Sequence, residues 1–359
     1  MFSIQPEQYD ILLQEKTERI KQLFSQLYND AIDVYSSEKS HYRMRAEFRL
    51  WRQDNQLHYA MFEKGKKNMP VFIEDFPQAH TSINKLMFPL LERINATPLL
   101  AARLFQIDFL TTKAGDVLVT LIYHRNLTDE WEAMAKTLEE QFNIKIVGRA
   151  RKQKRILSTD YVTETLIINE QKYKYKQIEN SFSQPNALVC EKMIEWTLSN
   201  ITMTNTDLLE LYCGNGNFTL PLSSKFRKIL ATEVSKSSIK AAKDNCLLND
   251  IDNINFVRLS SNEVSQAFAK EREFRRLAET PLEDYQFETV FVDPPRAGLD
   301  TGSIELVTKF NTILYISCNP ETLKENVEQL SEYKIEKLAL FDQFPYTDHV
   351  ECGAVLKKR

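Results

Sequence analysis

The spacing of apolar residues changes along the chain, and each period predicts a different kind of element. Between residues 7 and 30, apolar side chains recur every three or four positions, which predicts an amphipathic helix. From Tyr42 to Leu50 they alternate with charged residues, which predicts a half-buried strand with a basic outer face. Similar patterns predict strands at 57–62, 104–111, 117–124, 144–148, 161–169 and 172–178, and helices at 81–95 and 130–142. The amino-terminal half is therefore predicted to be α+β with an antiparallel sheet.

Near residue 180 the pattern becomes an alternation of helices and strands. A helix at 186–198 precedes predicted strands at 207–212, 228–232, 254–257, 288–292, 312–316, 335–341 and 352–357. This alternation is typical of a doubly wound, mostly parallel sheet in an α/β domain. The charged residues 265–285 predict a helical insertion. Two domains are expected, 1–180 and 181–359.

Composition and cysteine content argue against a strongly basic, a disulfide-bonded and a membrane-spanning protein, but they do not indicate an activity. The 359 residues are 43% hydrophobic and carry a formal net charge of −4, so a nucleic acid would need a local basic patch. The odd cysteine number and spacing match no disulfide, zinc or iron–sulfur pattern, which favours reduced thiols in a cytoplasmic protein. The first residues do not resemble a signal peptide, and no apolar run is long enough to predict a membrane span. The cysteines are Cys190, Cys213, Cys246, Cys318 and Cys352.

A glycine-containing loop follows the first predicted strand of the second domain. Gly214 and Gly216 would let the backbone approach a ligand closely. The loop is not a full dinucleotide fingerprint, since residue 219 is Thr, and an ordinary strand–helix turn is the alternative. Glu233 ends the next strand, where an acid binds ribose hydroxyls in nucleotide-binding α/β folds. Its alternative role is to cap the following helix.

Two further strands end in residues that carry chemistry. Asp293 is followed by two prolines that fix the backbone at the edge of the sheet, although an N-capping aspartate would give the same pattern. Cys318 follows an apolar strand in a polar turn, a setting that can lower the pKa of a thiol and make it nucleophilic. Glu351 lies in the charged turn before the last predicted strand and is a candidate general base or a solvated edge carboxylate. Parallel strands would bring such residues to one edge.

Five motifs in this half, together, resemble those of the RNA uracil-C5 methyltransferases that use S-adenosylmethionine. Within that family the chain is most similar to the branch that acts on the T-loop uridine of tRNA. Ribosomal-RNA relatives often carry an amino-terminal four-cysteine site, and this chain has no cysteine in its first 189 residues. The motifs are Gln184-Pro185-Asn186, 211–218 (LYCGNGNF), 293–298 (DPPRAG), 317–320 (SCNP) and His349-Val350-Glu351.

The resemblance implies a Rossmann-like S-adenosylmethionine methyltransferase domain at 181–359, preceded by an α+β RNA-binding domain at 1–180. It implies methylation of C5 of the T-loop uridine (position 54) in tRNA, with Cys318 as the nucleophile that attacks C6 and Glu351 as the proton acceptor. The equivalent uridine of tmRNA is a second expected substrate. No metal, iron–sulfur cluster, membrane or obligate protein partner is expected. The implied cofactor-binding residues are Gln184, Tyr212, Asn217, Glu233 and Asp293.

Basic residues of the first domain are the candidate RNA contacts, and a solvated strand face is the alternative for each. Lysines alternate with Tyr173 and Tyr175, which suits phosphate contacts beside stacking rings. Two rival functions remain open, a ribosomal-RNA uracil-C5 methyltransferase and a non-enzymatic tRNA-binding or folding factor. The basic candidates are Arg43, Arg45, Arg49, Lys145, Arg149, Arg151, Lys152, Lys154, Arg155, Lys172, Lys174 and Lys176.

Overall fold

The computed structural model describes residues 4–62 and 69–359, which fold as two compact units. Each unit is assembled from separate stretches of chain. The amino-terminal unit is built mainly from Glu38–Thr165 and Lys176–Ala187. The carboxyl-terminal unit combines Glu7–Ser37, Leu166–Tyr175 and Leu188–Arg359. The two units therefore differ from the two expected domains, 1–180 and 181–359, because segments before residue 180 belong to the carboxyl-terminal unit.

The first helix shows why the grouping differs. Helix α1 (Tyr9–Phe24) forms where the 3.6-residue period predicts it, and Ile20 and Phe24 are fully buried in the core of the carboxyl-terminal unit. The short strand β1 (Asp33–Tyr35) then pairs in parallel with the strand Tyr333–Phe341. An amphipathic pattern identifies the apolar face of a helix but not the sheet that covers it.

The amino-terminal unit contains a seven-stranded sheet in the order β4-β3-β2-β5-β6-β7-β8. Neighbouring strands are antiparallel except β6 and β7, which are parallel because helix α4 crosses between them. Thr128 caps α4 by accepting a hydrogen bond from the Trp131 backbone N–H. The elements are β2 (Arg45–Gln53), β3 (Gln56–Phe62), β4 (Pro70–Phe72), α2 (Thr81–Asn95), α3 (Pro98–Ala101), β5 (Leu104–Thr111), β6 (Val117–Tyr123), α4 (Asp129–Phe142), β7 (Lys145–Ala150) and β8 (Gln153–Ile156).

A separate two-stranded sheet is formed by β9 (Tyr161–Ile168) and β10 (Gln171–Ile178). Alternation along β10 is as predicted, but its apolar side faces inward. Tyr173 and Tyr175 are 4% and 1% exposed, so the expectation that their rings stack on RNA bases is wrong. The Tyr175 hydroxyl instead donates a hydrogen bond to the carbonyl of Asn217.

The carboxyl-terminal unit is built on an eight-stranded sheet in the order β1-β16-β17-β15-β14-β11-β12-β13. From β15 to β13 all neighbours are parallel, whereas β17 is antiparallel to both of its neighbours. The predicted mostly parallel α/β fold is confirmed. The elements are α5 (Ala187–Ser199), β11 (Asp207–Leu211), α6 (Thr219–Leu222), β12 (Ile229–Thr232), α7 (Lys236–Leu248), β13 (Ile254–Val257), α8 (Ser261–Phe268), β14 (Phe287–Val292), α9 (Thr301–Val307), β15 (Thr312–Ser317), α10 (Pro320–Gln329), β16 (Tyr333–Phe341) and β17 (Glu351–Lys358).

The predicted helical insertion at 265–285 is wrong. Helix α8 ends at Phe268, and only two short 3₁₀ turns follow, Arg275–Leu277 and Leu282–Asp284. Phe274 and Tyr285 are buried in the core of the unit, and their burial shapes the path of this segment more than helix propensity does. Among the helices of the described residues, none has the length and apolar character that crossing a membrane requires.

Candidate active site

Four residues with reactive side chains meet at one edge of the parallel sheet. Tyr212, Asp293 and Cys318 directly follow β11, β14 and β15, which are adjacent and parallel. Strand β17 runs the opposite way beside β15, with Cys352 paired to Ser317. Glu351 therefore begins β17 at the edge where β15 ends, beside Cys318.

Cys318 differs from the other cysteines because it alone among the five is partly exposed. Burial, reinforced by the negative charges of Glu351 and Asp293, raises the pKa of its thiol to about 11. The polar turn does not lower this pKa, because burial and the two carboxyl groups outweigh the backbone hydrogen bond and the charge of Arg296, which act in the opposite direction. At neutral pH the thiol is therefore protonated until a nearby group accepts its proton.

The two carboxyl groups beside the thiol also hold protons more tightly than usual. Glu351 is 4% exposed, and burial together with the charge of Asp293 raises its pKa well above the ordinary range. Burial raises the pKa of Asp293 to about 7. A carboxylate with a raised pKa is a stronger base once ionised, which suits general acid–base chemistry near neutral pH.

The glycine loop after β11 has left-handed backbone at three positions. Tyr212 has φ 61°, Gly214 56° and Gly216 85°. A Cβ added at Gly216 would lie 2.6 Å from Leu220 Cδ1, so the left-handed backbone and the close side chain both favour glycine there. A Cβ added at Gly214 would meet nothing within 4 Å, so open space borders the backbone there. The loop thus provides a cradle beside the strand end.

Glu233 connects this loop to the next strand. It follows β12, and its Oε2 accepts a hydrogen bond from the Gly214 N–H at 3.2 Å. Its Oε1 accepts one from the Ser235 N–H at 2.7 Å. An ionised carboxylate has about four lone-pair sites, so acceptor capacity remains for ligand hydroxyls beside the open space at Gly214.

The side chains of the other predicted cofactor residues have different hydrogen-bond partners, and one of them belongs to the other unit. The Tyr212 hydroxyl is 3.3 Å from Ser303 Oγ. Asn217 turns its carboxamide to Cys190, with Nδ2 3.3 Å from the sulfur. Gln184 belongs to the amino-terminal unit, and its Oε1 is buried without a hydrogen-bond partner in the residues described. The remaining six predicted site residues all belong to the carboxyl-terminal unit.

Glu210 is a residue of this region that the sequence analysis missed. It lies inside β11, is 1% exposed, and its Oε2 has no hydrogen-bond partner in the described chain. Burial raises the pKa of Glu210 to about 8, and the charge of Asp293 acts in the same direction. The signal was visible as a single acid within the apolar run Leu208-Leu209-Glu210-Leu211.

The predicted basic residues from Lys145 to Arg155, called the basic run below, are largely neutralised by carboxylates. Lys145 pairs with Asp116, and Arg149 and Lys154 pair with Glu179. Arg155 contacts two more acids, Asp129 and Glu132. In contrast, Arg151 and Lys152 are exposed at the β7–β8 turn and form no ion pair within the described ranges. They are the free cations of the run.

An arginine–aromatic surface lies on the same sheet. Arg49 is exposed, and its guanidinium lies 5.8 Å from the ring centre of Phe62 and 5.5 Å from that of Phe105. Phe105 stacks on His124 with ring centres 4.2 Å apart. Planar cationic and aromatic groups of this kind suit unpaired nucleobases. Arg45, in contrast, is partly buried, and its guanidinium donates a hydrogen bond to the Ser181 carbonyl. Burial lowers the pKa of this guanidinium.

Within residues 4–62 and 69–359, no cluster of three or more His, Cys, Asp or Glu side chains could hold a metal ion. The site instead combines a nucleotide-type loop and acid with a thiol and two carboxyl groups on one sheet edge. This combination is typical of α/β enzymes that bind a nucleotide-type cofactor at the carboxyl edge of the sheet.

Comparison with known proteins identifies the family. The family model described as tRNA (Uracil-5-)-methyltransferase matches residues 8–359, and the chain belongs to this family. The predicted family and enzyme class are thereby confirmed.

Similar relatives and a solved structure agree with this assignment. The tRNA/tmRNA (uracil-C(5))-methyltransferase of Acinetobacter baylyi is 54% identical over 97% of this chain and 98% of its own length. The protein with the same description from Saccharophagus degradans is 51% identical over 99% and 98%. The crystal structure of Pyrococcus abyssi tRNA (uracil-54, C5)-methyltransferase, in complex with S-adenosyl-L-homocysteine, shares the fold, with a TM-score of 0.74, 23% identity and coverage of 97% and 83%.

Proposed function

We propose that the protein methylates C5 of the T-loop uridine, position 54, of tRNA, and the equivalent uridine of tmRNA, with S-adenosylmethionine as donor. The observation that carries this proposal is the position of Cys318 beside Glu351 at the edge that also holds the glycine loop. The printed activities of the relatives, tRNA/tmRNA uracil-C5 methylation and uracil-54 methylation, support the substrate.

The residues at the glycine loop fit an S-adenosylmethionine molecule. Open space borders the backbone at Gly214, and the Glu233 carboxylate beside it has acceptor capacity for ribose hydroxyls. Tyr212, Asn217 and Asp293, together with Gln184, are the further residues proposed to hold the cofactor. When bound, S-adenosylmethionine supplies an electrophilic methyl group.

Cys318 starts the proposed reaction because uracil C5 is a poor nucleophile. Its thiol must first lose a proton, since its pKa is about 11, and this proton must go to a group other than Glu351, which has to be ionised for the later step. Asp293 is the other carboxyl group beside the thiol and would hold the proton until the thiolate is released. The thiolate then forms a bond to C6, and the electrons of the C5–C6 double bond give an enolate with negative charge on C5. Covalent addition thus turns C5 into a nucleophile for the methyl group.

Glu351 completes the proposed reaction. After methyl transfer, C5 carries both a methyl group and its original hydrogen. The Glu351 carboxylate takes this hydrogen as a proton, the C5–C6 double bond re-forms, and the sulfur–C6 bond breaks to release the Cys318 thiolate. The raised pKa of Glu351 suits this step, because the carboxylate is a stronger base than an exposed glutamate.

The amino-terminal unit is the proposed RNA-binding part. Its Arg49 surface offers a guanidinium and aromatic rings for unpaired bases of the T arm, and Arg151 and Lys152 offer free positive charge for phosphates. Binding energy from these contacts would offset the cost of extruding the target base, roughly a few kcal/mol.

Two variants test the order of the steps. Cys318→Ala should bind RNA but form neither covalent adduct nor 5-methyluridine. Glu351→Gln should keep the thiol but lose the proton acceptor, so a protein–RNA adduct should accumulate and survive denaturing electrophoresis. Cys246→Ala and Glu305→Gln, which change a buried cysteine and an exposed helical glutamate elsewhere, serve as matched controls.

The same assay identifies the RNA. Purified protein, labelled S-adenosylmethionine and total RNA should give 5-methyluridine in tRNA at the T loop. Label in ribosomal RNA alone would contradict the proposed substrate. Normal turnover of Cys318→Ala would contradict the covalent mechanism, and normal turnover of Glu351→Gln would assign proton removal to another group.

A further inference from the structure

The loop between β16 and β17 is fastened to helix α1 by a buried lysine. This loop, residues 342–350, ends immediately before Glu351. Lys16 is 7% exposed, and its ammonium donates to Asp342 Oδ1 at 2.7 Å, the Phe344 carbonyl at 2.9 Å and the His349 carbonyl at 3.2 Å. One charged group therefore joins both ends of the loop.

Two other residues of α1 contact the same loop. The Arg19 guanidinium donates to the Asp348 carbonyl at 2.6 Å. The Tyr9 ring meets Tyr346 edge-on, with ring centres 5.9 Å apart, where Tyr346 adopts a left-handed φ of 62°. Helix α1 thus contacts the loop at its start, its turn and its end. All of these residues belong to the carboxyl-terminal unit.

Hydrogen bonds within the loop itself are short-range. Thr347 Oγ1 donates to the Phe344 carbonyl and accepts from the His349 N–H. These bonds shape the turn but do not attach it to neighbouring elements. The loop is also attached at its start, where the Asp342 N–H donates to the Tyr35 carbonyl and Gln343 Nε2 donates to Met193 Sδ. The α1 contacts add attachment at the turn and at the end of the loop, where the chain enters β17 and places the Glu351 carboxyl beside Cys318.

We propose that Lys16 and Arg19 are positioning residues for Glu351, a role that rests on the proposed function of Glu351 as proton acceptor. They act through the loop 342–350 and touch no reacting atom. A base displaced by about 1 Å can lose on the order of 100-fold in rate. The step that depends on Glu351 is release of the covalent adduct, so its release should be affected more than its formation.

Lys16→Met and Arg19→Ala test this role. Lys21→Met is the matched control, since Lys21 lies on the same helix and its ammonium contacts Glu18 at 2.7 Å. Rapid mixing with RNA and S-adenosylmethionine, followed by denaturing electrophoresis, measures formation and release of the adduct separately. In Lys16→Met, release should slow by about 10–100-fold while formation changes less than about twofold. Arg19→Ala should slow release by a smaller factor, and Lys21→Met should match the wild type.

Equal slowing of formation and release, or wild-type release in both variants, would overturn the proposal. If Lys16→Met does not fold, Arg19→Ala decides, because Arg19 is exposed and its removal leaves the buried cluster intact. Lys16→Met combined with Asp342→Leu removes both buried charges together and provides a second folded background. Glu351→Gln is measured in parallel: if it traps no adduct, the proposed function fails, whereas a trapped adduct with unaffected α1 variants refutes the positioning role alone.

Discussion

Cys318 and Glu351 lie one position beyond the last paired residues of antiparallel strands, Ser317 of β15 and Cys352 of β17. The register of two strands thus brings a thiol and a carboxyl group together, although 33 positions separate them in the sequence. The same neighbour that is proposed to remove a proton from the substrate also makes the thiol harder to ionise.

The reactivity of Cys318 should rise steeply with pH. The thiolate is the form that reacts with iodoacetamide, and a thiol of pKa about 11 is ionised about tenfold more for each pH unit between 7 and 10. Mass spectrometry of the peptide containing Cys318 should show this slope in the alkylation rate. Glu351→Gln removes one nearby negative charge and should move the midpoint of the titration to lower pH.

The control for this titration is Cys318→Ala, in which the peptide that contains position 318 should not be alkylated at any pH. A free cysteine with its ordinary pKa, about 8.5, reaches a plateau between pH 9 and 10. A plateau in that range for Cys318 would show that the carboxyl groups do not raise its pKa.

Glu233→Ala should weaken cofactor binding. Loss of two hydrogen bonds from ribose hydroxyls to a carboxylate, at about 1.5–3 kcal/mol each and imperfectly additive, is expected to cost roughly 2–4 kcal/mol. The dissociation constant for S-adenosylmethionine, measured by calorimetry, should then rise roughly 30–1000-fold. Glu233→Gln keeps one carbonyl acceptor and should lose less, and the exposed Glu305→Ala should lose nothing. Unchanged affinity in a folded Glu233→Ala protein would refute the ribose assignment.

The two loop glycines should respond differently to a methyl group. Gly216→Ala forces a Cβ against Leu220 at left-handed φ and should destabilise the fold by about 1–3 kcal/mol. Gly214→Ala meets no atom, so its folding cost should be limited to roughly 1–2 kcal/mol of backbone strain. The methyl group of Gly214→Ala would occupy the open space, so this variant should bind the cofactor more weakly. Gly216→Ala should keep its cofactor affinity under conditions in which it is folded. Denaturant unfolding and calorimetry compare the two variants.

Arg151 and Lys152 should contribute to RNA binding more than the paired residues of the same run. Each phosphate contact adds roughly 0.7–0.9 to the slope of log affinity against log salt concentration. The double change to alanine should therefore reduce that slope by about 1.4–1.8 and leave S-adenosylmethionine affinity unchanged. Arg155→Ala is the comparison, because its guanidinium is already held by Asp129 and Glu132. Equal losses in both variants would mean that the free charges have no special role.

Local patterns predicted most elements of the fold. The helix expected at 81–95 and the strand expected at 104–111 are Thr81–Asn95 and Leu104–Thr111, since their apolar periodicity is strong and their cores are local. Strand β1 was missed because three residues are too few to show the alternation of apolar and polar side chains that predicts a strand. The grouping of α1 with the last strands was also missed, because it depends on a tertiary partner hundreds of positions away.

For the candidate site, the motifs predicted which residues lie at the sheet edge, but they could not predict the pKa shifts of those residues. A strand pattern places Cys318 at a sheet edge, yet the direction of its pKa shift depends on Glu351 and Asp293, whose proximity comes from strand order. The charge of Arg149 was likewise visible, but its partner Glu179 lies in the turn after β10. Sequence spacing alone contains neither relationship.

The bond between Lys16 and Asp342 joins residues 326 positions apart, which has a consequence for synthesis on the ribosome. At about 5–20 residues per second, helix α1 emerges roughly 15–65 s before the segment that neutralises its buried ammonium. During that interval Ile20 and Phe24 lack the sheet that covers them in the finished protein. The sequence from Glu38 to Thr165, which supplies most of the amino-terminal unit, is complete much earlier. The apolar face of this amphipathic helix therefore stays uncovered until translation is nearly finished and is available to chaperones during that time.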